Sequence, residues 1–305
     1  MSRTIFVSYS HEQGDWVWNR LVSCLKGGGA EVLIDREQVE AARRLYKQLD
    51  DVQDRAALNI LVFSPDYLDS RFCQHEMRRA LRRDPKFDPG IAIPVKRVEC
   101  ELPPAIKRSN PLCVDLRDDQ DANQWDLLLK KCDADLGTTA PEWLRVRDEL
   151  RRHLGRGESV NLIVGAGVRW RPLIEDLRRD SSLAELGIVD LEDPVTASRP
   201  GLVGAILQAC GVTGVSVPAK PNDLVELGRV LTSHRTARVA LIKFDLAAHR
   251  PEYELDLFAA LRYLTMESRK LVLLVQSRIP FAALLPHDHP LSSINLTTVE
   301  LRGRP

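Results

Sequence analysis

Asn59–Glu76 reads NILVFSPDYLDSRFCQHE, and how this stretch is read decides the fold. Asn59–Phe63 is a short apolar run of strand length, closed by the Ser-Pro-Asp turn signal. Ser70 is a residue type that caps helix N-termini, and the residues after it read as a helix. Glu76 falls six residues beyond that cap, within the first two helical turns. Phe72 lies one turn earlier on the same helical face, at i, i+4 spacing.

The same alternation continues on both sides. Thr4–Ser8 (TIFVS), Glu31–Ile34 (EVLI), Ile91–Val95 (IAIPV) and Leu112–Leu116 (LCVDL) read as further strands. Helical patterns separate them, such as Trp16–Leu25 with Trp16, Leu21 and Leu25 near one face. Short apolar runs each followed by a helix imply a parallel sheet covered on both faces. Ligand sites in such sheets gather at the carboxyl ends of the strands, which draws attention to the residues after Ser8, Ile34 and Phe63.

Three segments together resemble the TIR (Toll/interleukin-1 receptor) domain family. Phe6-Val7-Ser8-Tyr9-Ser10 matches the family's F-x-S-Y/F strand end. Val32-Leu33-Ile34-Asp35 matches its second strand and the Asp that opens the BB loop. Phe63–Glu76 matches SPxYLxSxWCxxE, with Phe72 where Trp is common. The resemblance implies a flavodoxin-like, five-stranded parallel sheet and, from relatives of the bacterial type, cleavage of NAD at the nicotinamide–ribose bond with Glu76 as the catalytic carboxylate. NAD is then a substrate, and no cofactor or metal is implied. Phe72, Tyr9, Ser10 and His11 fall where such relatives approach the dinucleotide. Many relatives have basic residues after the first strand, whereas Ser10 offers only a neutral hydroxyl.

The BB loop begins at Asp35 and contains Arg36, Glu37, Glu40, Arg43 and Arg44, a mixed-charge set suited to self-association of TIR domains. Glu40 reads either as a carboxylate near the ligand or as a solvated loop charge. The loop has no Gly near Ala41 or Ala42, so it is expected to be stiffer and more helical than in relatives. The resemblance further implies an effector active when TIR domains assemble, producing ADP-ribose or its cyclic form, in settings such as antiphage defence. The competing reading is a TIR scaffold without catalysis.

The chain has 305 residues, enough for two domains, with 43 Lys plus Arg balancing 43 Asp plus Glu. That balance argues against a dedicated nucleic-acid binder. The start shows no signal-peptide pattern, and no apolar stretch nears the roughly 20 residues of a membrane span, so a soluble cytoplasmic protein is expected. The six cysteines (Cys24, Cys73, Cys100, Cys113, Cys132 and Cys210) include no CxxC pair and read as free thiols. Cys73, although it is near His75, reads as a core residue rather than a nucleophile.

A TIR domain is expected over 1–135 and a linker with a basic helix over 136–158. Thr139 and Glu142 form a capping-box pattern with Pro141 just inside the helix start. A second α/β domain is expected over 159–305. Its strand runs are VNLIV from Val160, Arg238–Phe244, Leu271–Gln276 and Leu296–Leu301, with helices at Leu202–Ala209 and Leu224–Leu231. Gly165-Ala166-Gly167 follows a strand as a phosphate loop would, but no Gly-Lys-Ser/Thr follows. Ala240–Asp245 resembles the strand that ends in the Mg²⁺-side Asp of P-loop ATPases, and Ser277-Arg278 resembles the polar end of the next strand. The layout resembles a STAND/AAA-type NTPase core that has lost its nucleotide chemistry, left to sense an activating ligand or protein. His287-Asp288-His289 has no third ligand at a metal-site spacing.

Overall fold

The computed structural model describes residues 3–34, 50–109, 111–183, 186–212, 228 and 236–304. The chain divides into two compact units, Met1–Leu144 and Arg145–Pro305. The division falls inside the helix Ala140–Gly155, whose start is capped by Thr139 Oγ1 accepting the Glu142 N–H at 3.4 Å.

In the first unit the strands are β1 (Thr4–Ser8), β2 (Glu31–Leu33), β3 (Leu58–Phe63), β4 (Ala92–Lys96) and β5 (Val114–Asp115). They form one sheet in the order β2-β1-β3-β4-β5, every neighbouring pair parallel. This is the flavodoxin-like order the sequence implied, and its switch point lies between β1 and β3, where ligands bind in open α/β sheets. Every residue of β3 is buried, as a central strand covered on both faces requires. The amphipathic stretch around Trp16–Leu25 is a helix over 14–27 whose middle, Val17–Val22, widens into π-helical turns.

The second unit holds β6 (Val160–Val164), β7 (Leu186–Asp190), β8 (Ala237–Ile242), β9 (Leu271–Ser277) and β10 (Thr297–Leu301). They make a second parallel sheet in the order β10-β6-β9-β8-β7. Strand β7 has no counterpart among the runs read from the sequence. It is an edge strand broken by Gly187, whose missing side chain lets the helix Arg199–Ala209 approach: a Cβ there would lie 2.2 Å from the Ala209 carbonyl oxygen. The helix expected at Leu224–Leu231 lies outside the described residues apart from Gly228. All six cysteines are free.

Candidate active site

The site is built where β1 and β3 end. Ser8 is the last residue of β1 and is buried behind Ile5, Phe6 and Val7. Beyond β3, Ser64 caps the short helix Pro65–Asp69, its Oγ accepting the Tyr67 N–H at 3.1 Å. That turn sends Tyr67 back into the core, fully buried and edge-on to Phe63 with ring centres 5.1 Å apart. One residue after this helix, Ser70 starts the next, Arg71–Arg83, its Oγ accepting the Cys73 N–H at 3.3 Å.

The second helix buries Cys73, Glu76, Met77 and Ala80, which is one face at helical spacing. Glu76 therefore occupies a core position, with only 4% of its surface exposed. It is not the solvated surface residue that an arbitrary helix Glu would be. Its Oε2 accepts a hydrogen bond from Ser8 Oγ at 2.5 Å, and Ser8 Oγ lies 2.9 Å from the Tyr67 hydroxyl. Burial, and then the charge of Glu76, pushes the Tyr67 phenol well above its ordinary pKa. Cys73 lies in the apolar cluster, and burial raises its thiol to about 11, which makes it a poor nucleophile at neutral pH.

The helix carrying Glu76 is fastened on two sides. Gln53 Nε2 donates to the Glu76 carbonyl at 2.9 Å. His75 meets Asp50 at 3.0 Å, and Arg79 bridges Asp50 at 3.0 Å and Asp54 at 2.9 Å through Nε. On the other side, the Cys73 thiol donates to the Tyr9 carbonyl at 3.5 Å, tying the first helical turn to the segment after β1.

Residues 5–129 match the family profile described as "TIR domain". This part of the chain is a TIR domain. Among solved structures, the chain is similar to the TIR domain of the Toll-related receptor TRR-2 from Hydra magnipapillata. That match is 21% identical and covers 42% of this chain and 96% of the receptor domain, with a TM-score of 0.37. It is also similar to a chain in a structure of Drosophila ORC bound to DNA (15% identity, 53% and 90% coverage, TM-score 0.40). A third similarity is to a Walker-type ATPase of Pyrococcus abyssi (12% identity, 52% of each chain, TM-score 0.35). No curated protein matches the chain.

Within the TIR domain, Glu76, Phe72, Tyr9 and Ser10 come together at the carboxyl end of β1. Phe72 is half-buried and Ser10 is buried. Tyr9 is half-buried, its hydroxyl accepting from Trp18 Nε1 at 3.0 Å, and its ring is edge-on to the exposed His11. Asp35, Arg36, Glu37, Glu40, Arg43 and Arg44 lie outside the described residues. Sequence reasoning did not identify Ser8 and Tyr67 as partners of the carboxylate. The available signal was Glu76 itself, a charged residue on the Cys73, Met77, Ala80 stripe, where burial demands a hydrogen-bond donor.

In the second unit a cleft of about 870 Å³ opens at the carboxyl ends of β6, β8 and β9. Its lining includes Gly165, Gly167, Lys243, Asp245, Gln276 and Arg278. Lys243 has a left-handed backbone (φ 58°), and its ammonium pairs with Glu192 and lies 3.6 Å from Asp190. Both Asp245 oxygens accept the backbone N–H of Arg278, at 3.0 and 3.2 Å. His289 Nδ1 accepts the Leu291 N–H at 3.2 Å, and its ring packs 4.6 Å from that of Phe258, so this histidine serves the fold. Among the described residues there is no cluster of three or more metal-ligating side chains, and no helix is long and apolar enough to cross a membrane.

Proposed function

We propose that this chain is an NAD glycohydrolase, with Glu76 as the catalytic carboxylate. The observation that carries the reading is the placement of Glu76: a carboxylate on a core-facing helix position, bonded to Ser8 at the switch point of the sheet. A carboxylate in a water-poor setting acts on a developing cation far more strongly than one in solvent. In the reaction the C1′–N bond of NAD breaks and its electron pair passes to the ring nitrogen. The cationic pyridinium thus leaves as neutral nicotinamide and needs no general acid. The charge left on the ribose is oxocarbenium-like, and Glu76 offsets it and orients the ribose hydroxyls. Water then adds at C1′ and releases a proton, giving ADP-ribose; attack by the adenine ring of the same molecule gives the cyclic product. Phe72 and Tyr9 supply aromatic surface beside the carboxylate.

Activity is set by assembly: one protomer supplies Glu76, and the BB loop of a second completes the site. The second unit receives a ligand or partner and governs that assembly, in an effector of the kind that depletes NAD in antiphage defence. Its engaged Asp245 and the absence of a Lys after Gly165–Gly167 support a role other than ATP hydrolysis. The test is nicotinamide release from NAD by the full chain over a range of protein concentrations. Specific activity should rise with concentration, and Arg43→Glu should flatten that rise. No nicotinamide at any concentration would leave a TIR scaffold as the function.

A further inference from the structure

A carboxylate buried on an apolar helix face takes up a proton unless donors hold it ionised. Here the donors form a chain. Ser8 Oγ donates to Glu76 Oε2 at 2.5 Å, and the Tyr67 hydroxyl lies 2.9 Å from Ser8 Oγ. A serine hydroxyl has one hydrogen. With that hydrogen given to the carboxylate, the second bond runs from Tyr67 to Ser8. Tyr67 is suited to the task, because burial and the Glu76 charge keep its phenol protonated through the neutral range. Each O–H in such a chain polarises the next and strengthens its donation.

We propose that Ser8 and Tyr67 are positioning residues for Glu76, a relay of two hydroxyls that fixes Oε2 and keeps the carboxylate ionised for catalysis. The proposal rests on the NAD-cleaving reading of Glu76. Ser8 acts directly, and Tyr67 acts only through Ser8. The other groups around Glu76, among the described residues, do different work. Cys73 on the same helix is a neutral thiol at pH 7, and Gln53 bonds the Glu76 backbone. His75 and Arg79 engage Asp50, and Arg79 also engages Asp54.

The experiment compares Ser8→Ala, Tyr67→Phe and the double variant in the full chain. It measures kcat and KM for NAD across pH, and the titration of the Glu76 carboxylate by isotope-edited infrared difference against Glu76→Gln. Removing a donor to the ionised form raises a carboxylate's pKa, so the acid limb of kcat and the titration should both move to higher pH. In Ser8→Ala, kcat at neutral pH should fall about tenfold with little change in KM. Tyr67→Phe should lose about threefold. The double variant should be no worse than Ser8→Ala, because Tyr67 has no route to Glu76 once Ser8 is gone. Losses that multiply in the double variant, with an unmoved titration, would overturn the relay and leave a packing role. The two layers separate cleanly. A wild-type chain that releases no nicotinamide sinks the enzymatic reading, while the titration still decides the relay. Full loss in Glu76→Gln with an unmoved titration in Ser8→Ala sinks the relay alone.

Discussion

Glu76 in the first unit and Asp245 in the second both serve the carboxyl end of a parallel five-stranded sheet, and they are used in opposite ways. Glu76 is buried on a helix and bonded by the hydroxyl that ends a distant strand. Asp245 is half-exposed and accepts a backbone N–H with both oxygens, closing the turn after β9. A carboxylate that closes a turn contributes to the fold and has little left to offer a ligand. A carboxylate buried among side chains costs stability, since an apolar residue would suit the same position better. Sites of chemistry are where such local conflict with folding is expected.

The largest expected effect is on catalysis. Glu76→Gln should lower nicotinamide release by about a hundredfold or more, roughly 3 kcal/mol of lost charge stabilisation. Asp245→Asn should leave the release within about twofold of wild type, measured in parallel at matched concentration. Equal losses in the two variants would erase the contrast drawn above.

Stability should sort the same pair in the reverse sense. Glu76→Leu completes the Cys73, Met77, Ala80 stripe and should raise the unfolding free energy by about 1 kcal/mol while removing activity. Asp245→Asn keeps one good acceptor and should lower it by about 1 kcal/mol. Urea unfolding of both variants decides this, and a strongly destabilised Glu76→Leu would mean that the carboxylate supports the fold. Thr139→Ala, which removes an ordinary helix cap, should cost about 1 kcal/mol and provides a scale for both.

The smallest effect concerns pH. The Asp54 carboxyl is held below its ordinary value, chiefly by its hydrogen bond with Arg79 and then by charge. A depressed native pKa contributes stability above the unfolded-state value and loses it as pH falls through the native one. Asp54 is half-exposed, so screening limits the contribution to below about 1 kcal/mol. Asp54→Asn should therefore weaken the fold slightly at pH 7, less in high salt, and not at all once the carboxyl is protonated. An effect that persists at low pH would assign the loss to packing.

Much of the framework was legible from the chain alone. Apolar runs located nine of the ten strands to within about two residues at each end, because a strand buried on both faces cannot carry much else. The caps at Ser70 and Thr139 were legible because the hydroxyl bonds an N–H two or three residues away. Strand β7 escaped notice because an edge strand is only half-buried and Gly187 interrupts its apolar run. The π-helical turns at Val17–Val22 escaped as well, since they preserve the amphipathic pattern of an ordinary helix.

The sequence by itself determined that parallel sheets form and that Glu76 stands near the start of a helix following a central strand. Both facts are local: side-chain size, polarity and spacing within a few turns decide them. Only the tertiary structure decided that Glu76 faces inward and that its partners are Ser8, 68 residues away, and Tyr67, which meets Ser8 across 59 residues. Hydrogen bonds of that kind are selected by the stacking of helix on sheet. Sheet order, register and helix rotation together choose which hydroxyl meets the carboxylate, and no short-range pattern encodes that choice.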